Sequence, residues 1–235
     1  MDVARRSILL AATSTAAVIS VEALFALPAT AVTAEQAAVK AVPAAQGALT
    51  GKSSPNGWPI NTEADAAGSV WTRPLVGTGS TVEIAIGDAE LILLHVARRF
   101  HYEIDTLRPN DVVGFRKPAE LKGYQLNHAS GSAIDIRPGH YPVGVRGGFF
   151  PTELEVIRDI LADCEGLVRW GGDFRVPDEA HFELTAPPTD ARVMQLATDL
   201  RDGKTTPGVG AGVIQNPQEK TRRDKALRLQ HQQAR

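Results

Sequence analysis

The pattern of apolar and polar positions along this chain predicts three helices. Residues 84–101 are apolar almost all round a helical wheel, so this helix should be buried. Residues 150–166 and 188–203 are amphipathic, with apolar side chains on one stripe and polar side chains elsewhere. In the second helix the stripe consists of Leu154, Ile157, Leu161 and Cys164.

Capping signals mark the ends of these helices. Asp88 can cap the first, and Thr152 with Glu155 fits a capping box for the second. Thr189 can cap the third, which Gly203 would end.

Four short runs have the composition and alternation of strands. Residues 111–117 are rich in β-branched and aromatic side chains, and residues 132–137 alternate between two faces. Residues 167–172 and 180–185 form two further runs of this kind. The order helix, strand, strand, helix, strand, strand, helix predicts an α+β fold, in which about three helices flank a small antiparallel sheet.

The N-terminal segment has the layout of a signal peptide over residues 1–34. Arg5 and Arg6 precede a long stretch of small apolar residues, and Ala29–Ala31 supplies small residues for cleavage. The arginine pair followed by "SILL" suggests the twin-arginine export route. An uncleaved membrane anchor is the alternative, because the apolar stretch is nearly long enough to span a membrane. We therefore expect a secreted or envelope-located protein, with no stable membrane span once the signal is cleaved.

The remaining chain divides into a linker, one domain and a tail. Residues 35–55 are rich in Ala, Pro, Gly and Ser without an apolar period, which predicts a linker. Residues 56–203 contain all the predicted elements and form the folded domain. Residues 204–235 are Gly/Pro-rich and then polar and basic, which predicts a disordered tail; an envelope-binding tail is the alternative.

Overall composition is that of a globular protein, and it argues against nucleic-acid binding and against an intramolecular disulfide. The net charge of -2 gives no case for nucleic-acid binding by the whole chain. The one cysteine, Cys164, excludes an intramolecular disulfide, and its place on the apolar stripe predicts a buried structural thiol.

Two clusters of His and carboxylate lead strand-like runs and suggest a metal site. Zinc in catalytic sites usually has three protein ligands and leaves a fourth position for water. His128, Asp135 and His181 can supply such a set if their strands are neighbours. Gly131 lets the backbone turn between His128 and the following strand, so that one loop could deliver two ligands.

Water attack requires a base and a positive group near the metal. Asp178 precedes His181 by three residues and is the candidate base, with Glu179 as its competitor. Arg116 is the candidate for binding a substrate carboxylate, because a guanidinium can donate two parallel hydrogen bonds.

Each of these residues also has a structural alternative. Both His clusters could be hydrogen-bonded turns in a domain without metal. Trp170 could line the substrate cleft or pack in the core, and Glu183 could orient a ligand His or face solvent. His140 follows closely enough to lie near the site, although a direct role is not expected.

The two motifs "HASGSAID" and "DEAHFE" resemble those of the LAS group of zinc peptidases. This group contains D-alanyl-D-alanine carboxypeptidases and L-alanyl-D-glutamate endopeptidases, and "NHASG…AIDI" with "WGGDF…HFEL" looks most like the endopeptidase branch. The resemblance implies that His128, Asp135 and His181 bind one zinc ion and that Asp178 is the catalytic acid/base. It also places Arg116 where the group has its substrate-binding arginine.

The resemblance covers roughly residues 56–186 and implies a function. Leu126 stands where the family often has a serine, which puts a secondary substrate contact in doubt. We expect an exported zinc metallopeptidase that hydrolyses the stem peptides of bacterial peptidoglycan by means of activated water. A non-catalytic, zinc-stabilised wall-binding module is the alternative. The oligomeric state is not indicated by the sequence.

Overall fold

The protein has an α+β architecture in this computed structural model, which describes residues 48–205 and 213–233. The α+β prediction is therefore confirmed. Short antiparallel strands form three separate sheets in the described residues, and α-helices pack beside them. The strands are β1 (Leu49–Ser53), β2 (Pro59–Asn61), β3 (Val70–Leu75), β4 (Ser80–Ala85), β5 (Val112–Val113), β6 (Ala133–Ile136), β7 (Val168–Trp170) and β8 (His181–Leu184). The α-helices are α1 (Asp88–Glu103), α2 (Pro151–Asp163), α3 (Ala191–Thr205) and α4 (Lys220–Gln233).

The four-stranded sheet has the order β5-β6-β8-β7 and places the two motif strands side by side. In the antiparallel pair of β6 and β8, Asp135 lies opposite His181 and Ala133 lies opposite Glu183. Directly opposed residues of an antiparallel pair project from the same face of a sheet. Asp135, His181 and Glu183 therefore share one face, as the sequence pattern requires.

The other face of this sheet belongs to the hydrophobic core. Ile134, Ile136 and Phe182 are almost fully buried and pack in one cluster with the apolar side chains of α1 and α2. Cys164 is fully buried in the same cluster, and burial raises the pKa of its thiol to about 12. The prediction that Cys164 is a buried thiol is thus confirmed.

Helix α1 begins four residues later than the apolar pattern predicts. Residues 80–85 alternate between buried and exposed positions and form β4, which pairs along its whole length with β3. Gly87, with φ of 90°, occupies the N-cap position without a side-chain hydrogen bond, so Asp88 is the first helical residue and not the cap. The apolar end of β4 lies directly before the apolar helix α1, so the sequence pattern joined the two elements into one predicted helix.

The caps of α2 and α3 also differ from the predicted ones. Helix α2 begins at Pro151, and the Glu153 carboxylate accepts a hydrogen bond from the backbone N–H of Phe150 at 2.7 Å. The Asp190 carboxylate accepts a hydrogen bond from the Arg192 N–H at 2.9 Å, and α3 continues past Gly203 to Thr205. The caps therefore lie one or two residues from the predicted ones: Glu153 acts instead of Glu155, and Asp190 acts instead of Thr189.

Strand β1 and helix α4 occupy segments for which the sequence predicted no structure. Residues 49–53 of the predicted linker pair with β2, which satisfies their backbone groups despite a Gly- and Ser-rich sequence. Residues 220–233 of the predicted disordered tail form α4, which packs against α2. The predicted signal peptide, 1–34, lies outside the described residues. Within those residues, no helix combines the length and apolar character needed to cross a membrane.

A buried ion-pair network explains why the polar tail forms a docked helix. Arg99 on α1 is 1% exposed and donates hydrogen bonds to Glu103, Asp159 and Asp163 at 2.6–2.7 Å. Arg222 of α4 donates to Asp159 at 2.6 Å and to Asp163 at 3.0 Å. Two arginines thus offset three carboxylates, so the charges of α4 are partly used inside the fold.

We predict that Arg99→Ala destabilises the protein strongly, because it leaves buried carboxylates without their partner. The free energy of unfolding should fall by about 3–5 kcal/mol, as measured by urea denaturation. Arg73→Ala is the control, since it removes the half-exposed pair with Glu90 and should cost at most about 1 kcal/mol. Equal losses in the two variants would contradict this role for Arg99.

Candidate metal centre

Three buried side chains bring one ligand atom each to a common point. His128 Nε2 lies 3.1 Å from Asp135 Oδ1 and 3.2 Å from His181 Nδ1, and the distance between the last two atoms is 2.9 Å. All three residues are at most 3% exposed. The structure therefore brings together the three residues that the sequence selected as candidate metal ligands.

Local backbone geometry delivers His128 to this point. His128 lies in a 3-10 helix, Gly123–Ser130, which ends at Gly131 in the left-handed region with φ of 65°. A Cβ atom on Gly131 would approach the Ala85 nitrogen to 2.4 Å, so a glycine is required here for space as well as for conformation. The predicted turn between His128 and the strand is confirmed.

The outer nitrogen of each imidazole has a hydrogen-bond acceptor that fixes the tautomer. His128 Nδ1 lies 2.6 Å from the carbonyl oxygen of Gly114, which can only accept. His181 Nε2 lies 2.9 Å from Glu183 Oε2. If each outer nitrogen carries the proton, the inner nitrogens present lone pairs to each other and to Asp135.

The charges around the site favour a cation at its centre. Burial raises the pKa of Asp135, but hydrogen bonds with His128 and His181 outweigh burial and hold this pKa below its ordinary value. Burial lowers the pKa of His181, but hydrogen bonds with Asp135 and Glu183 outweigh it and raise the pKa to about 9. The centre therefore takes up a positive charge, which a proton or a metal ion can supply.

The chemistry and spacing of these ligand atoms fit a zinc ion. Two imidazole nitrogens and one carboxylate oxygen are a common ligand set for catalytic zinc, and they leave one position open. Zinc–ligand bonds of about 2.0–2.2 Å in tetrahedral geometry would separate the ligand atoms by about 3.3–3.6 Å. The observed separations of 2.9–3.2 Å are slightly shorter, so a small expansion would accommodate the ion.

Glu183 is buried and contacts His181, as one of the two sequence interpretations requires. Burial raises its pKa, but hydrogen bonds from His181 and Asn127 and the charge of Arg169 outweigh burial and lower it. Asn127 Nδ2 donates to Glu183 Oε2 at 2.6 Å, and Arg169 Nε donates to Oε1 at 2.5 Å. The carboxylate is therefore fixed in orientation and ionised beside the His181 ring.

Asp178 is 2% exposed and contacts one of the three ligand residues, His181, and its neighbour Tyr124. Its backbone oxygen accepts a hydrogen bond from the His181 N–H at 3.0 Å, and its Oδ2 accepts one from the Tyr124 hydroxyl at 2.7 Å. Gly171 permits this close packing, because a Cβ there would lie 3.0 Å from His181 Cβ and 3.2 Å from Asp178 Cβ.

Tyr124 is a site residue that sequence reasoning missed. Its ring lies edge-on to the His181 ring, with 4.9 Å between ring centroids, while its hydroxyl binds Asp178. Burial raises the pKa of Tyr124, and the Asp178 carboxylate raises it further, so the hydroxyl remains a donor. The available signal was its position four residues before His128, in the segment that forms the 3-10 helix.

Glu179, the competing candidate for the base, has a structural role. Its carboxylate accepts hydrogen bonds from the backbone N–H groups of Gly147 and Gly148, both at 2.8 Å. Its carbonyl oxygen accepts a hydrogen bond from Trp170 Nε1 at 2.8 Å. Both ends of the residue thus hold neighbouring segments.

Arg116 lies at the site and contacts Asp135. Arg116 Nη2 donates to Asp135 Oδ2 at 2.5 Å, which leaves Oδ1 for the centre of the site. The Arg116 side chain remains 31% exposed, so part of the guanidinium faces solvent.

Trp170, Leu126 and His140 are three further residues that the sequence analysis considered. Trp170 is paired with Phe182 in the sheet, is 3% exposed and packs in the core, and it also lines a pocket along β7, so both sequence interpretations remain. Leu126 packs against the apolar cluster of Ile60, Leu121 and Ala129. His140 is exposed, and its ring contacts Arg137.

Comparison with known proteins places the candidate centre within a matched segment. Residues 122–184 match the model of a protein family described as D-alanyl-D-alanine carboxypeptidase. The match covers less than half of the chain, but it contains the three ligand residues and Asp178; Arg116 lies before it. Searches of curated proteins and of solved structures found no match.

We predict that the purified protein binds one zinc ion and that ligand substitutions abolish this binding. His128→Ala, Asp135→Ala and His181→Ala should each reduce the zinc content, measured by elemental analysis, to background. Glu183→Gln should retain the site but weaken zinc binding by about 10–100-fold, because the His181 ring loses its charged acceptor. His140→Ala is the control and should bind zinc normally. Equal zinc contents in His140→Ala and His181→Ala would contradict the assignment.

Proposed function

We propose that this protein is a zinc-dependent peptidase that hydrolyses peptide bonds in the stem peptides of bacterial peptidoglycan. The observation that carries the proposal is the convergence of ligand atoms of His128, Asp135 and His181. The buried carboxylate of Asp178 accepts a hydrogen bond from Tyr124, whose ring contacts His181. The match of residues 122–184 to a carboxypeptidase family supports the choice of substrate. The motif resemblance found in the sequence supports the same choice.

Each residue around the centre has a distinct part in this reaction. A bound zinc ion would supply Lewis acidity to the scissile carbonyl and would lower the pKa of the attacking water. Asp178 would accept the proton from that water and deliver it to the leaving amine. The hydrogen bond from Tyr124 to Oδ2 of Asp178 would hold the carboxylate in one orientation for this transfer.

Arg116 would orient the substrate. Its contact with Asp135 uses Nη2, and the exposed remainder of its guanidinium can donate to a substrate carboxylate or carbonyl oxygen. The residue would therefore hold a zinc ligand and the substrate at the same time.

We also propose that the protein acts outside the cytoplasm. The support is the signal-like N-terminus with Arg5 and Arg6, which lies outside the described residues. A fusion of residues 1–34 to a reporter that is active only after export tests this part, and an inactive reporter would contradict it.

Digestion of purified muropeptides, with mass analysis of the fragments, tests the peptidase proposal. The wild-type protein with zinc should cleave, and a chelator should stop cleavage. Asp178→Asn should retain zinc and lose about 10²–10⁴-fold in rate, because the base is removed. Asp199→Asn, on the exposed surface of α3, is the control and should cleave normally.

The outcome of this digestion also separates the alternatives. A zinc-stabilised wall-binding module would bind the peptides without cutting them, and Asp178→Asn would change nothing. The fragment masses distinguish removal of a terminal D-alanine from cleavage between L-alanine and D-glutamate.

We predict that Tyr124→Phe reduces kcat by about tenfold while zinc content stays unchanged. The variant keeps the ring beside His181 but removes the hydrogen bond that orients Asp178. Tyr102→Phe is the matched control. Tyr102 is 41% exposed on α1, so its substitution should leave kcat and zinc content unchanged. Wild-type kcat in Tyr124→Phe would exclude this role, and a loss of zinc would assign Tyr124 to the metal site instead.

A further inference from the structure

A pocket beside the candidate centre is not used by the roles assigned so far. It has a volume of about 700 Å³ and runs along the edge strand β7. Its walls include Tyr124, Phe174, Arg169 and Arg175. This volume lies within the usual range for ligand sites, and the mixture of aromatic and charged walls is typical of them.

Two aromatic walls connect this pocket to the candidate centre. The Tyr124 and Phe174 rings contact each other edge-on, with centroids 4.9 Å apart. Both rings also lie beside His181, with centroid distances of 4.9 Å for Tyr124 and 6.0 Å for Phe174. A ligand in the pocket would therefore lie alongside the residue that binds Asp178.

The ionisable groups of the pocket leave one positive charge without a partner. Arg169 is paired with Glu183 at 2.5 Å, and Asp173 is paired with Arg158 at 2.6 Å. Arg175 is exposed and has no ion-pair partner among residues 48–205 and 213–233. The pocket should therefore attract an anion, and Arg175 is the group to bind it.

The aromatic walls argue against a cationic ligand. The Arg169 guanidinium carbon lies over the Phe174 ring, 4.7 Å from its centroid, so a cation already covers this face of the ring. A second cation would be repelled by both arginines.

We propose that the pocket is a substrate subsite that binds a carboxylate-bearing part of the peptide. Arg175 donates hydrogen bonds to the carboxylate, and Tyr124 and Phe174 pack against the adjoining apolar part of the chain. This proposal rests on the proposed peptidase function, and it makes Arg175 a determinant of specificity.

A matched pair of synthetic stem peptides tests the subsite. One peptide keeps its free carboxylates and the other carries carboxamides in their place. Zinc-loaded Asp178→Asn protein is titrated with each peptide by calorimetry, with and without the additional substitution Arg175→Gln. Arg108→Gln, at an exposed position on the turn before β5, is the control.

We expect Arg175→Gln to weaken binding of the free-carboxylate peptide by about tenfold and to leave the carboxamide peptide unchanged. In the background with intact Asp178, Arg175→Gln should raise KM for the free-carboxylate peptide and preserve kcat. Equal effects on both peptides, or the same effect from Arg108→Gln, would overturn the proposal. Zinc content and circular dichroism confirm that each variant is folded.

Failure of the subsite can be distinguished from failure of the peptidase. If the wild-type protein cleaves both peptides equally and Arg175→Gln does not alter KM, the peptidase stands and the subsite is excluded. If no peptide is cleaved but Arg175→Gln still abolishes the preference for carboxylates, the pocket binds anionic peptides and the protein is not a peptidase.

Discussion

The described structure depends on three ligand atoms whose lone pairs face one another on side chains that are at most 3% exposed. Ligand atoms of His128, Asp135 and His181 approach to 2.9–3.2 Å, and the outer nitrogens of both imidazoles face hydrogen-bond acceptors. Such a group is repulsive unless a cation lies among its members. The raised pKa of His181 has the same origin, because a proton is the cation that the protein itself can supply. A metal ion would displace that proton, so the site exchanges one positive charge for another.

The surrounding fold makes this arrangement rigid. The register of β6 against β8 places Asp135 opposite His181, and the opposite face of the same strands packs in the core, so neither strand can slip without exposing apolar side chains. Glu183 lies two residues further along β8 on the same face and therefore reaches the ring of His181. The Gly114 carbonyl supplies the corresponding acceptor for His128. Packing of the core thus fixes the chemistry on the other face of the sheet.

Sequence patterns identified the three candidate metal ligands, but not Tyr124 or the helix α4. Alternation along the strands and the spacing of two motifs were sufficient to select His128, Asp135 and His181, because each is tied to a short local element. Tyr124 was missed because its contact with Asp178 joins residues far apart in sequence. Helix α4 was missed because its polar sequence has no clear apolar stripe, and Arg222 meets its partners Asp159 and Asp163 only in the folded chain.

Anomalous diffraction at the zinc edge, from crystals of the purified protein, tests the central claim most directly. The account predicts one peak equidistant from His128 Nε2, Asp135 Oδ1 and His181 Nδ1, at about 2.0–2.2 Å from each atom. A crystal grown with zinc that shows no peak among these atoms, or a peak bound by other residues, would contradict it.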